Sequence, residues 1–336
     1  MKNNHPYLIR EQVIKAIRQF FDERSFYEIT VPVLNRALPL EPNLYSFQTN
    51  WYHHDQQEKL FLPTSPESAL KKMLAQGLDK VYAIAPSFRN LEPADVEHHP
   101  EFLMLEWYRS DAHYTDIMRD VEKLVQFVSK KINRYLQRDS SVSKILYRGK
   151  LLDLSSPWKV VSLEELFEEV TNFSLRECLQ LKKMKELANK LNYQVNDSNW
   201  EQLFNQVVMD KIEPLLGDQP LFLIDFPAQI SSLCKTQTAK PYLADRFEVY
   251  LAGLELGNGN NEQLDSQLVK EKMIKEKHHR EANRLPTHLI EEEFLLALDK
   301  MRQTNTSYAG IGLGVDRLAM ILAGEESLEK IIYFGL

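Results

Sequence analysis

Ser87-Phe88-Arg89-Asn90, followed across a polar loop by Pro100-Glu101-Phe102-Leu103-Met104-Leu105-Glu106-Trp107-Tyr108, is the stretch on which the fold turns. Val81 to Arg89 and Phe102 to Tyr108 read as two strands joined by that loop. Side chains alternate along a strand, so Phe102, Met104, Glu106 and Tyr108 share one face. A buried face that carries a carboxylate and a phenol needs partners for them. A cationic ligand with a hydrogen-bonding need is one such partner. The alternative is a structural salt bridge for Glu106 and ordinary core packing for Phe102 and Met104, and this segment alone favours it.

Further along stands Arg246-Phe247-Glu248-Val249-Tyr250-Leu251-Ala252-Gly253-Leu254-Glu255-Leu256-Gly257-Asn258-Gly259. Two β-rich runs flank Ala252-Gly253, which predicts a tight hairpin with Tyr250 facing Glu255. Period two places Glu248 on the face of Tyr250, so Glu248 and Glu255 become diagonal neighbours. Carboxylates that close repel unless a cation lies between them. Magnesium, with its preference for oxygen ligands and its use of one or two carboxylates plus phosphates, suits such a pair. Two exposed glutamates on a solvated face are an equal reading from the hairpin alone.

The third segment is Gly310-Ile311-Gly312-Leu313-Gly314-Val315-Asp316-Arg317-Leu318. Glycine at every second position leaves one strand face bare, so a flat ligand can approach the backbone. Arg317 then opens an apolar helical run, where its planar fork can meet a phosphate. Val315 occupies a position where the dinucleotide fingerprint requires glycine, and no P-loop pattern occurs. A glycine-rich bend packed on another strand is the plainer alternative.

The rest of the chain sets limits. Its 336 residues, 43% of them hydrophobic, can bury a sizeable core. A net charge of −7 argues against gripping nucleic acid through overall charge. The two cysteines, Cys178 and Cys234, form no metal or redox motif and fit a reducing compartment. Met1 to Pro6 lacks the apolar run of a signal peptide, and no stretch approaches the roughly 20 apolar residues of a membrane helix. The chain therefore reads as a soluble cytoplasmic protein.

Ile9, Val13, Ile17 and Phe20 predict a first helix, leading into a strand-like run from Phe26 to Pro32. A second long helix is expected over Thr115 to Leu136. The stretch from about 155 to 219 reads as a helical insertion, with Ser162 and Glu165 spaced as a capping box. Leu221 to Phe226 reads as a short strand, and Ser266 to Arg284 as a solvated helix. The adjacent pairs His53-His54, His98-His99 and His278-His279 point to opposite faces in a strand and are read as surface or hydrogen-bonded histidines rather than metal ligands.

Taken together, the three segments resemble, in order, the signature motifs of class II aminoacyl-tRNA synthetases. The helix from about Leu8 through Val31-Pro32 is the motif 1 counterpart, a dimer interface in that family. Ser87 to Tyr108 resembles motif 2, and Gly310 to Arg317 resembles motif 3. The resemblance implies an α+β fold, an antiparallel sheet flanked by helices, as a single catalytic domain over 1–336 with a mainly helical insertion at about 155–219. Thr64-Ser65-Pro66-Glu67, the Pro-Glu-Phe run into Glu106-Trp107-Tyr108, and Glu255-Leu256-Gly257-Asn258-Gly259 resemble lysyl-tRNA synthetase positions. Those enzymes carry an N-terminal OB-fold. Here the motif 1 helix starts almost at Met1, so no OB-fold is expected. The chain is thus similar to the truncated elongation factor P–lysine lysyltransferases. Met104-Leu105-Glu106-Trp107-Tyr108-Arg109 and Phe226-Pro227-Ala228 look closer to that branch.

The resemblance implies ATP and Mg²⁺ as cofactors, and assigns roles residue by residue. Arg89 and Arg317 would be catalytic. Arg89, Glu92, His98, Phe102, Glu248, Glu255, Gly314 and Arg317 would bind ATP, with Glu248 and Glu255 holding the metal. Glu67, Glu106, Tyr108, Asn258, Glu262 and Gly312 would surround lysine or β-lysine. The implied partners are elongation factor P as acceptor and a second copy in a homodimer, with neither tRNA nor a membrane. Alternatives are a lysine-activating enzyme that charges tRNA or another acceptor, and a non-catalytic synthetase-like binding protein. The sequence departs from the family at Pro86, Leu91, Glu97, His99 and Asn260, the last replacing an aromatic residue of the amino-acid pocket. Gly312 matches the true synthetases, where many lysyltransferases carry alanine.

Overall fold

The structure, a computed structural model, describes residues 5–92, 95–141, 143–196 and 198–332. Residues 1–4, most of the polar N-terminal stretch, lie outside them. The first helix, α1 (Pro6–Asp22), buries Ile9, Val13, Ile17 and Phe20 as their spacing predicts, together with Ala16 and Phe21. β1 (Tyr27–Glu28) is shorter than the run to Pro32 suggests. Its pairing ends at Ile29, whose N–H still reaches the Tyr82 carbonyl at 2.8 Å, and Pro32 has no N–H to extend it. A ribbon of β2 (Gln48–His53) and β3 (Gln56–Phe61) precedes α2 (Glu67–Leu74). β4 (Lys80–Phe88) and β5 (Glu101–Ser110) pair antiparallel from Lys80–Arg109 to Phe88–Glu101, close to the expected limits. α3 (Tyr114–Tyr135) follows, then a second ribbon of β6 (Lys144–Tyr147) and β7 (Lys150–Asp153).

The stretch near 155–219 is not helical throughout. It begins with β8 (Lys159–Ser162), a β-branched run that joins the main sheet parallel to β9 (Leu221–Ile224). Between them lie α4 (Leu163–Thr171), α5 (Leu175–Cys178), α6 (Leu181–Lys190), α7 (Trp200–Val207), a π-helical turn at Val208–Ile212, and α8 (Glu213–Leu216). These helices form the crossover that a parallel pair requires. They pack Phe167, Leu203 and Phe204 against Leu221 and Leu223 in a core of their own. Ser162 caps α4, its Oγ accepting from the Glu165 N–H at 3.3 Å.

β10 (Arg246–Leu251) and β11 (Leu254–Asn261) turn at Ala252-Gly253, whose φ values of 58° and 76° are those of a two-residue hairpin turn with both central residues left-handed. Tyr250 faces Glu255 as expected. A bulge then shifts the register, so Glu248 pairs with Asn258 and lies one residue further from Glu255 than a regular hairpin allows. α9 (Ser266–Ala282), α10 (Glu292–Gln303), β12 (Tyr308–Gly314) and α11 (Val315–Ala323) complete the described chain. The main sheet runs β1-β4-β5-β12-β11-β10-β9-β8, parallel at its two ends and antiparallel between. Residues from α1, α3 and α11 pack on Leu105, Trp107, Phe247, Ile311 and Leu313 to form the main core. Period two leaves Met104, Glu106 and Tyr108 on the opposite face, where the site lies. Among the described residues no helix is long and apolar enough to cross a membrane, and both cysteines are free and buried.

Candidate active site

Glu106 and Tyr108 are two residues apart on β5 and both buried. The Tyr108 hydroxyl donates to Glu106 Oε1. The other carboxylate oxygen is buried and has no hydrogen-bond partner among the described residues. Burial, then the charge of Glu67, pushes the Glu106 carboxyl well above its ordinary range, against the pull of the Tyr108 hydrogen bond. An orphaned buried carboxylate oxygen is costly unless a cation or donor meets it. The Tyr108 ring also covers Gly310, where a Cβ would run into that ring and into the Trp107 carbonyl. The glycine face of β12 is therefore occupied at Gly310. At Gly312 a Cβ would meet Met104 Sδ at 3.3 Å and Glu106 Oε2 at 3.8 Å.

Two adjoining cavities of about 430 and 320 Å³ share Arg89, Met104, Glu255, Asn258 and Gly312 as walls. The larger adds Glu67, Glu106, Tyr108 and Glu248. The smaller adds Glu92, His98, Phe102, Gly314 and Arg317. Of the residues singled out by the family resemblance, only Glu262 lines neither.

Glu262 sits behind the larger cavity, and its partner is a residue that sequence reasoning missed. Lys71, on α2, is fully buried and forms ion pairs with both Glu67 and Glu262. One ammonium shared by two carboxylates does not fully offset burial. Burial and the Glu67 charge, opposed by Lys71, leave Glu262 raised to about 7. The two carboxylates in turn hold Lys71 charged despite its burial, with a raised pKa. Asn260, on the same edge of the site, donates to Glu262 Oε1 at 3.1 Å. The Glu67–Lys71 spacing of four on a helix was a signal in the sequence, but adjacent Lys71-Lys72 reads equally as a solvated face.

Arg246 was also missed. Its guanidinium donates to Glu248 Oε1 at 2.7 Å, while the Tyr250 hydroxyl donates to Oε2 at 3.0 Å. Burial and the charge of Glu255 still raise the Glu248 carboxyl to about 7. Glu248 and Glu255 thus line one cavity and repel, and Glu248 is already partnered. Among the described residues no group of three or more His, Cys, Asp or Glu is arranged to hold a metal. The pair fits a magnesium ion that arrives with phosphate oxygens, not a bare ion held by protein alone.

In the smaller cavity the Arg89 guanidinium lies 5.2 Å from the Phe102 ring centroid and 3.5 Å from Glu92. Leu91, where the sequence departs from the family, adopts φ 65° and is exposed. Arg317 donates to the Glu255 carbonyl at 2.6 Å and to the Glu97 carbonyl at 3.1 Å, joining the motif 2 loop to β11. His98 pairs with Asp95 at 2.9 Å. Asp316, next to Arg317, accepts from the Leu103 N–H at 2.7 Å and from Arg10 at 2.6 Å. This buried carboxylate fixes α11 against the strand that carries Phe102 and against α1.

A family model described as tRNA synthetases class II (D, K and N) matches residues 2–336. The chain belongs to that class II synthetase family. It is 31% identical to a lysine–tRNA ligase of Carboxydothermus hydrogenoformans over 98% of its own length and 65% of that protein's. It is 33% identical to a lysine–tRNA ligase of Prochlorococcus marinus, over 97% and 63%. It is 30% identical to an elongation factor P–(R)-β-lysine ligase of Buchnera aphidicola subsp. Acyrthosiphon pisum, over 97% and 93%. The chain thus spans somewhat less than two thirds of the lysine–tRNA ligases. The expected resemblance to both lysine-specific branches holds, as does the α+β class II fold. The segments around Arg89 to Tyr108, Arg246 to Asn258 and Gly310 to Arg317 each supply walls of the two joined cavities.

Proposed function

We propose that this protein activates lysine or (R)-β-lysine with ATP and transfers the aminoacyl group to a lysine of elongation factor P. The observation that carries the reading is the junction of two cavities. One is acid-lined, with an unpaired buried oxygen on Glu106; the other is flanked by Arg89, Arg317 and Phe102. The first suits an ammonium, since buried carboxylates need a cation. The second suits a triphosphate and a nucleobase. The match to 93% of the Buchnera elongation factor P–(R)-β-lysine ligase supports the acceptor.

On this reading Phe102 stacks on adenine, Arg89 holds the α-phosphate, and Arg317 lies near the γ-phosphate. Mg²⁺ held by Glu248 and Glu255 would offset charge on the phosphates. The substrate carboxylate attacks the α-phosphorus, pyrophosphate leaves, and an aminoacyl-adenylate remains. The amine of the acceptor lysine then attacks the acyl carbon and AMP leaves. The chain supplies position and electrostatic stabilisation, with no protein nucleophile. A homodimer belongs to the same reading, and sedimentation velocity tests it.

Exchange of labelled pyrophosphate into ATP, dependent on α- or β-lysine, tests the activation step. Intact-mass analysis of elongation factor P then tests transfer, with a lysyl increment expected. An active exchange alongside unmodified factor and charged tRNA would refute the acceptor. No exchange with either isomer would refute activation and favour a synthetase-like binding protein.

A further inference from the structure

Resting on that reading, we propose that Glu41 determines specificity for the amine beside the substrate carboxylate, by pairing with it as an ammonium. Glu41 lies on a loop between β1 and β2 that no motif covers, yet it lines the larger cavity with Glu67, Arg89 and Glu106. The loop is held by a buried cation. Arg280 of α9 is 1% exposed and pairs with Glu276 at 2.7 Å. Its guanidinium also donates to the Leu44 carbonyl at 3.0 Å, to the Glu41 carbonyl, and to the Pro286 carbonyl at 3.4 Å, and faces the Tyr45 ring at 4.8 Å. A buried guanidinium engaged on loop carbonyls fixes the backbone from which the Glu41 side chain enters the cavity.

The Glu41 carboxylate itself makes no hydrogen bond or ion pair among the described residues, although its backbone is tied down. Burial, then the charge of Glu67, raises it to about 7 against the opposing charges of Lys71, Arg89 and Arg246. Position separates it from Glu106. The Glu41 loop pairs with the strand end that carries Arg89, the Asn90 N–H reaching the Tyr45 carbonyl at 2.7 Å, and Arg89 walls both cavities. The substrate carboxylate must lie at the shared wall to reach ATP, so an amine one or two carbons away falls on the Arg89 side, where Glu41 stands. The distant amine of the extended chain falls to the unpaired buried oxygen of Glu106.

The test compares kcat/KM in pyrophosphate exchange for the preferred lysine isomer, for ε-aminocaproate, which lacks the amine near the carboxylate, and for the analogue that lacks only the distant amine. ε-Aminocaproate serves for both α- and β-lysine. Glu41→Gln should shrink discrimination against ε-aminocaproate by about 10- to 100-fold, the range for a charge-assisted hydrogen bond. Discrimination against the other analogue should stay within about 3-fold of wild type. Unchanged discrimination against ε-aminocaproate, or an equal loss against both analogues, would overturn the assignment while the wild-type exchange upholds lysine activation. A wild-type protein with no exchange would overturn the activation reading and this assignment with it. If Glu41→Gln does not fold, Glu41→Asp serves: a smaller loss confined to ε-aminocaproate supports the role, and no change or a loss against both refutes it.

Discussion

Replacing Lys71 by methionine keeps much of the buried stem and removes the ammonium with its charge and its hydrogen bonds to the carboxylates. In the wild type the ammonium is shared by Glu67 and Glu262, with side chains 1%, 12% and 1% exposed for the lysine and the two glutamates. Removing one member of a buried ionic cluster strands the others, at a cost of about 3–5 kcal/mol. The cost depends on pH. Glu262 stands at about 7 through burial and Glu67, even with Lys71 opposing; without the cation it moves further up. Its folded pKa lies above the unfolded value, so the native state binds more protons in that window and stability falls as pH rises through it. Loss of Lys71 extends the window upward, and each added unit costs about 1.4 kcal/mol above it. Urea unfolding should therefore show the full loss near about pH 8 and a visibly smaller one near about pH 6, where Glu262 is protonated in both proteins. Methylammonium, a cation sized for the vacated ammonium position, should restore part of the difference at the higher pH. A loss equal at both pH values, or below about 1 kcal/mol, would refute the claim that Lys71 neutralises the two carboxylates.

Other expectations follow from the same geometry. Glu41, Glu248 and Glu262 are each raised to about 7, chiefly by burial. Lysine affinity should rise between about pH 6 and about pH 8 as Glu41, the one of the three that lines the larger cavity unpartnered among the described residues, ionises, with proton release on binding; calorimetric heats that ignore the buffer's ionisation enthalpy would contradict this. Gly310→Ala forces a methyl into the Tyr108 ring and the Trp107 carbonyl and should lower stability by about 3 kcal/mol or more, whereas Gly312→Ala crowds the flexible Met104 sulfur and meets Glu106 only at ordinary contact distance. Equal melting temperatures for the two variants would contradict that contrast. Arg317→Ala removes the fork that spans the Glu97 and Glu255 carbonyls and should cut pyrophosphate exchange by about 100-fold or more, with Arg317→Lys a poor substitute. Near-normal exchange in either variant would count against the role.

Local patterns carried much of the fold. Alternation along Phe102 to Tyr108 assigned the polar face of β5, and Ala252-Gly253 located a hairpin with Tyr250 opposite Glu255. What escaped depends on contacts distant in sequence. A bulge in β11 has no marker apart from glycines that suit several geometries, so Glu248 was placed one residue from its true partner. Val160 and Val161 form too short a run to announce a sheet strand inside a helical stretch, because β8 exists by pairing with β9, which follows only after the crossover helices. Lys71 looks like an ordinary helix-surface lysine until Glu262 arrives from β11 to bury it. Arg280 sits in a helix whose composition reads as solvated, and its role appears only when the loop at Glu41 and Leu44 folds over it.

The common wall between the two cavities carries a thermodynamic obligation. Arg89, Met104, Glu255, Asn258 and Gly312 cannot adjust to one occupant without altering the surface offered to the other. Whatever factor one ligand applies to the affinity of the second must be returned unchanged by the second to the first. Dissociation constants measured around the closed cycle, singly and in the presence of a non-reactive nucleotide, should therefore multiply to the same product by either route.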